Sequence, residues 1–189
     1  MGNNKLFFFY ENPIMEIRPN SLEAAYLAVL NENLDIAKSI FDKIDSPRAI
    51  WGSILVGILE GYIKIYPTYF QIRNFLEIDL DLLLKNEKIP YVEQLIGSAK
   101  ILTTVNAEIY KYIARTMYVN KLYAAAYKYM VKSKKIYYND AELHFMLTKY
   151  FLHIKDYEQA LFYVNECLKL IPDYYPALIL KEEIDENFV

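Results

Sequence analysis

One cysteine, Cys167, stands alone in 189 residues, so neither an internal disulfide nor a CxxC metal site is available, and a reducing, cytoplasmic compartment is expected. Glycine (5) and proline (7) are scarce, which leaves too few turn residues for the many tight turns of an all-β fold. Positive charge is also lacking. The formal net charge is −3, whereas a chain that wraps nucleic acid carries a strong basic excess, so no nucleic-acid partner is expected. Long apolar runs are missing too. The N-terminal stretch MGNNKLFFFYENP has a four-residue apolar run, too short for the core of a secretion signal, and position 6 is Leu6 where a myristoylation pattern needs Ser or Thr. The most apolar segment, Ile50 to Tyr66, is interrupted by Glu60 and Lys64, so no transmembrane span is expected.

What is present is a large apolar fraction, 54%, with 24% charged residues, enough to bury a core and incompatible with a disordered chain. Tyrosine (19) and phenylalanine (10) are abundant, a composition equally compatible with AT-rich codon bias and with an aromatic binding surface.

The strongest signal is internal. Ala107–Asp140 aligns without a gap on Ala141–Tyr174, offset by 34 residues. Identities fall at Ala107/Ala141, Glu108/Glu142, Lys121/Lys155, Tyr123/Tyr157, Ala126/Ala160, Tyr129/Tyr163 and Lys135/Lys169. Each unit reads as two antiparallel helices, the first over 108–119 and the second over 122–137 in unit one. Small residues Ala114 and Ala126 let the backbones approach, and Ile113, Met117, Tyr123 and Met130 fill the contact. In the next unit Thr148, Ala160, Leu147, Phe151, Tyr157 and Val164 take those roles.

This pattern resembles the tetratricopeptide (TPR) family, whose unit is also 34 residues. The family's small residues match Thr148, Ala160 and Cys167, with Pro172 near the end; the first unit offers Ala114, Ala126 and Ser133 but departs at Tyr138, where proline is usual. The resemblance implies an all-α, right-handed superhelical array of antiparallel helix pairs. A final helix, 176–186, would cap it.

Upstream the echo is weaker. Ala25 and Ala37 repeat the twelve-residue spacing of Ala114/Ala126, and Leu34 and Phe41 match Tyr123 and Met130, giving helices over 21–31 and 34–44. The middle, 47–105, does not follow the 34-residue ruler but reads helical, over 47–65, 67–85 and 90–104, each opened by a proline after a polar residue or turn. Asn20…Glu23, Asn139…Glu142 and Asp156…Gln159 read as capping boxes. Three regions follow: an extended arm over 1–19 whose Phe7–Tyr10 cluster packs on the first helices, an irregular helical-pair region over 20–105, and the two TPR-like units with their cap over 106–189. Nine or ten helices and no sheet beyond a short N-terminal pairing are expected.

No residue pattern points to an enzyme, a cofactor or a metal. Cys167 sits at a small-residue packing position without a nucleophile's partners. His144 and His153 are nine residues apart, half a turn out of phase on one helix. Gly57 and Gly61 form a GxxxG that marks a close helix crossing, and Glu77, Asp79 and Asp81 read as a solvated acidic face. Lys128, Lys132, Lys134 and Lys135 lie among tyrosines, a mixture that also occurs in single-strand nucleic-acid sites, but on the outer helix of the pair.

The resemblance also implies where a ligand would sit. The second, fifth, ninth and twelfth places of each first helix line the family's peptide groove, here Glu108, Lys111, Arg115 and Tyr118, then Glu142, Phe145, Lys149 and Leu152. Lys111, Arg115 and Lys149 would form a basic wall flanked by Tyr118 and Phe145, suited to an acidic or carboxylate-bearing peptide, and reversing these charges would leave the fold intact. The expected function is a non-enzymatic protein- or peptide-binding scaffold. The alternative is a structural or homo-oligomerising subunit with the apolar middle helices as interface.

Overall fold

A computed structural model describes Arg18 and residues 20–187, the side chain of Asn187 excepted. The extended arm expected over 1–19 lies, apart from Arg18, outside the described residues. Among those described there is no strand, and helix runs almost from end to end. The helices are α1 (Leu22–Leu30), α2 (Leu34–Phe41), α3 (Pro47–Leu59), α4 (Tyr69–Lys85), α5 (Ile89–Gly97), the single turn α6 (Ala99–Leu102), α7 (Ile109–Val119), α8 (Tyr123–Ile136), α9 (Ala141–His153), α10 (Tyr157–Leu170) and α11 (Tyr175–Asn187). Among the described residues no helix is long and apolar enough to cross a membrane. They divide into two compact units, one ending at Asn106 and the other starting at Ala107.

Four helix hairpins share one turn. The pairs α1/α2, α4/α5, α7/α8 and α9/α10 are each joined by three residues, and the middle one is left-handed: Glu32 (φ 63°), Glu87 (57°), Lys121 (62°) and Lys155 (61°). The next N–H reaches back to a carbonyl five residues earlier, at 2.9 Å in every case: Asn33 to Ala28, Lys88 to Leu83, Leu122 to Met117 and Asp156 to Phe151. This closes the helix end in a Schellman motif. Gly61 (φ 88°) ends α3 in the same way, with Tyr62 donating to Gly57.

The turn residues revise the sequence reading of the middle. Glu87, Lys121 and Lys155 are spaced by 34 residues each, so α4/α5 follows the ruler that the residue identities hid. On this register Leu80, Ala114 and Thr148 are equivalent, as are Val92, Ala126 and Ala160, and Leu83, Met117 and Phe151; all nine are buried. The α1/α2 turn at Glu32 keeps the offset of Ala25/Ala114 and Ala37/Ala126, and these four alanines have no exposed surface.

Local boundaries shift for identifiable reasons. Gly61 stops α3 at Leu59 rather than near 65. α4 starts at Tyr69 rather than at Pro67, because Thr68 caps it in a reciprocal capping box with Gln71. Ser46 accepts from Ala49 N at 3.2 Å, and Pro47 opens α3 as its spacing predicts. Ser21 rather than Asn20 caps α1, and Asp140 rather than Asn139 caps α9, while Asp156 caps α10. The helix expected over 90–104 breaks at Ser98 into α5 and α6. The GxxxG is not a crossing, because Gly61 lies past the helix end and a Cβ on Gly57 would meet Tyr62. The close approach is at Gly52, where a Cβ would fall within 2.6 Å of the Phe41 ring.

In the second unit each helix packs on the next, from α7 to α11. α11 is the last of the described helices. Where α9 buries His144, Leu147 and Thr148 against α10, α11 carries Leu178, Lys181 and Glu182 at the equivalent places, with Leu178 and Glu182 exposed, and turns Ala177 and Ile184 inward. The outer face of α11 is mixed, with Tyr175, Leu178 and Ile179 exposed beside Glu182 and Glu183.

Candidate functional site

The groove residues expected on α7 and α9 do come together, but not as a basic wall. Lys111 is 4% exposed. Its Nζ lies 2.6 Å from Glu108 Oε1, 2.7 Å from Asp140 Oδ2 and 3.2 Å from Glu142 Oε2. Burial opposes its charge, yet the bonds and charges of Asp140, Glu108 and Glu142 outweigh that and raise its pKa. Arg115 donates to Glu142 and lies 5.6 Å over the Tyr112 ring, and the Tyr112 hydroxyl donates to Glu108 at 2.9 Å. Among the described residues two cations thus face three carboxylates, and this set is not positive. Sequence spacing located the two cations correctly but could not see Asp140, which the α8–α9 linker brings in from outside the repeat's groove places. Reversing Lys111 would set four carboxylates together with no cation at the centre, so the fold would not tolerate it.

The remaining groove residues form a separate feature. Phe145, Lys149 and Leu152 share one face of α9 by their i, i+4, i+7 spacing. Lys149 is exposed, with its Nζ 5.2 Å from the Tyr118 ring centre and 5.8 Å from that of Phe145. The Tyr118 hydroxyl donates to the Lys149 carbonyl at 3.2 Å, and Tyr174 meets Phe145 edge-on at 5.3 Å. Tyr118, Phe145, Leu152 and Tyr174 are half-buried, so each offers an apolar face to solvent beside one ammonium.

Two of the four lysines of α8 are engaged elsewhere, while Lys128 and Lys135 are exposed. Lys132 sits over Tyr110 and Tyr129, at 5.3 and 4.9 Å, and Lys134 donates to the Tyr163 hydroxyl at 2.9 Å. His144 is buried between Tyr138 and Tyr163, while His153 lies tilted against Tyr123 at 3.8 Å between ring centres. Cys167 is buried at its packing position, and burial, with Asp140 adding to it, pushes its thiol up to about 11.

The first unit holds a site that the sequence reading missed. Asp79, expected on a solvated face, has no exposed surface. Its Oδ2 accepts from the Tyr26 hydroxyl and from Arg48, each at 3.2 Å, and from the Trp51 indole N–H, and its Oδ1 accepts from Arg48 again. The Arg48 guanidinium also lies 4.6 Å over Tyr26 and 4.9 Å over Phe75. Burial raises the Asp79 pKa, opposed by Arg48 and by the Trp51 and Tyr26 bonds. The 34-residue ruler carried one unit further upstream would have found it, since Asp79 takes the place of Ile113 and Leu147, both core residues. Above this network a cleft of about 360 Å³ opens between α1 and α4, lined by Leu22, Glu23, Tyr26, Arg48, Ile78, Asp81 and Leu82.

No family model matches this chain, no curated protein matches it, and no solved structure matches it.

Proposed function

We propose that the chain is a non-enzymatic scaffold whose α7–α11 region is a TPR-like superhelical array binding a protein or peptide on its first-helix face, in a reducing, cytoplasmic setting. The 34-residue spacing of the turn residues Glu87, Lys121 and Lys155, with small buried residues at 114, 126, 148 and 160, supports reading the hairpins as repeat units. The observation that carries the binding reading is the platform of Tyr118, Phe145, Lys149 and Leu152: half-buried apolar side chains around one exposed ammonium. The occupant it fits is a segment with an apolar anchor next to a carboxylate. Lys111 and Arg115 act differently from what spacing implies. Held by Glu108, Glu142 and Asp140, they fix α7 to α9 and so set the geometry of the platform. The second reading is a homotypic interface through the apolar middle: α3 buries nine of its residues, but Ile50, Ile65, Tyr69, Phe70, Ile78 and Ile89 of that region are exposed, and a monomer in light scattering at high concentration would remove it.

The test is selection from a random peptide library on the full chain, with Lys149→Glu and Phe145→Ala as parallel targets. The expected result is enrichment of peptides pairing an acidic residue with an apolar one, lost on both variants. Enrichment that survives in both would remove the platform from the account.

A further inference from the structure

The first unit carries a second site, independent of the platform. The cleft over the Arg48–Asp79 network has apolar walls from Leu22, Ile78 and Leu82, and its volume of about 360 Å³ falls in the range of roughly 300–1,000 Å³ occupied by small-ligand sites. Of the residues lining it Tyr26 is buried and Arg48 half-buried. Asp79 cancels the charge of Arg48 and holds the guanidinium in place with two bonds. On the α4 side Asp81 is balanced by Lys85 at 2.6 Å. Glu23 on α1 has no cation within ion-pair distance among the described residues, is exposed, and is held ionised by the backbone at the helix start and by the Ser21 hydroxyl. Among the described residues the cleft is therefore an apolar slot with one surplus negative charge.

We propose that this cleft binds a small amphiphilic amine, its ring or chain between Ile78 and Leu22 and its ammonium at Glu23. An anionic ligand of the same shape would set its carboxylate against Glu23 and Asp81, while Arg48 is already neutralised. The buried network gives the slot a rigid floor, since Arg48 is fixed at once by Asp79 and by the Tyr26 and Phe75 rings.

Trp51, the sole tryptophan, donates to Asp79 beneath the cleft and reports on it without a label. The experiment titrates the full chain with phenethylamine, 3-phenylpropionate and benzyl alcohol, following Trp51 emission. A saturable change is expected with phenethylamine, at least about tenfold weaker with the other two, because like-charge contact or loss of the charge partner forfeits the Glu23 contribution. Glu23→Gln should narrow that preference, and Ile78→Lys, at a site already 57% exposed, should abolish the response in a protein with unchanged circular dichroism. Equal affinity for amine, acid and alcohol, or an undiminished response in Ile78→Lys, would overturn the proposal. Tighter binding of the peptide acetyl-Gly-Phe-Lys-Gly-amide than of phenethylamine would overturn the small-molecule assignment.

Discussion

Asp79 stands where the other two hairpins in register carry Ile113 and Leu147, and its charge is held by Arg48, Trp51 and Tyr26 rather than by water. Removing one partner of such a pair leaves the other buried and unbalanced. Asp79→Asn should therefore cost about 3–5 kcal/mol in urea unfolding. The double change Arg48→Met with Asp79→Leu should cost much less than Asp79→Asn alone, because it restores the apolar side chain found at the equivalent places. A double variant as unstable as Asp79→Asn would show that the network does more than fill the core. His144 gives the pH counterpart. Burial lowers its pKa, with Lys134 adding to it, while Glu166, the Tyr138 backbone and Asp140 oppose. Neither ring nitrogen completes a hydrogen bond with good geometry. The folded state thus binds a proton less readily than the unfolded chain. The contribution of His144 is present above the ordinary histidine value of 6.5 and is lost as pH falls from there through its lowered folded value. The urea midpoint should drop between pH 7 and pH 5, and His144→Leu should shrink that drop; an unchanged drop would assign it to other groups.

At the scale of the element, the hairpin turn is the repeated device. Lys121 and Lys155 adopt a left-handed conformation that costs an ordinary residue roughly 1–2 kcal/mol relative to the right-handed one. Lys121→Gly and Lys155→Gly should each stabilise the chain by up to about 1 kcal/mol, the gain being trimmed by the freer unfolded glycine. A loss of stability on thermal unfolding would contradict the turn assignment. Ala126→Leu and Ala160→Leu overfill the crossings and should cost about 1–3 kcal/mol, against little for Lys128→Leu on the exposed side of α8. These positions were legible because small residues at close crossings repeat in sequence. The α4/α5 hairpin was not, because its turn is set by backbone geometry at Glu87, which no residue identity marks, and because Leu80 and Val92 stand where alanine or threonine stands elsewhere. Asp79 stayed hidden for the same reason: without that register a carboxylate beside Glu77 and Asp81 looks like one more surface charge. The groove was half legible. The family resemblance placed Phe145, Lys149 and Leu152 on one face, and the charges of Glu108 and Glu142 beside the cations were visible in the sequence, but no local pattern foretells that Asp140 would join them at Lys111.

For the molecule as a whole, Lys149 is the charge that a partner of the proposed platform would meet. It is exposed and among the described residues bears on aromatic rings, so Lys149→Glu should shift stability by under about 0.5 kcal/mol while acting on binding. The direct measurement is the affinity of one library-selected peptide for the wild-type chain and for Lys149→Glu, repeated with the peptide's acidic residue changed to lysine. The account predicts a loss of about tenfold or more in Lys149→Glu, recovery of most of it with the lysine peptide, and a weaker effect at high salt, where exposed charges are screened. Equal affinity of both proteins for the acidic peptide, or no recovery on swapping the charge, would contradict it.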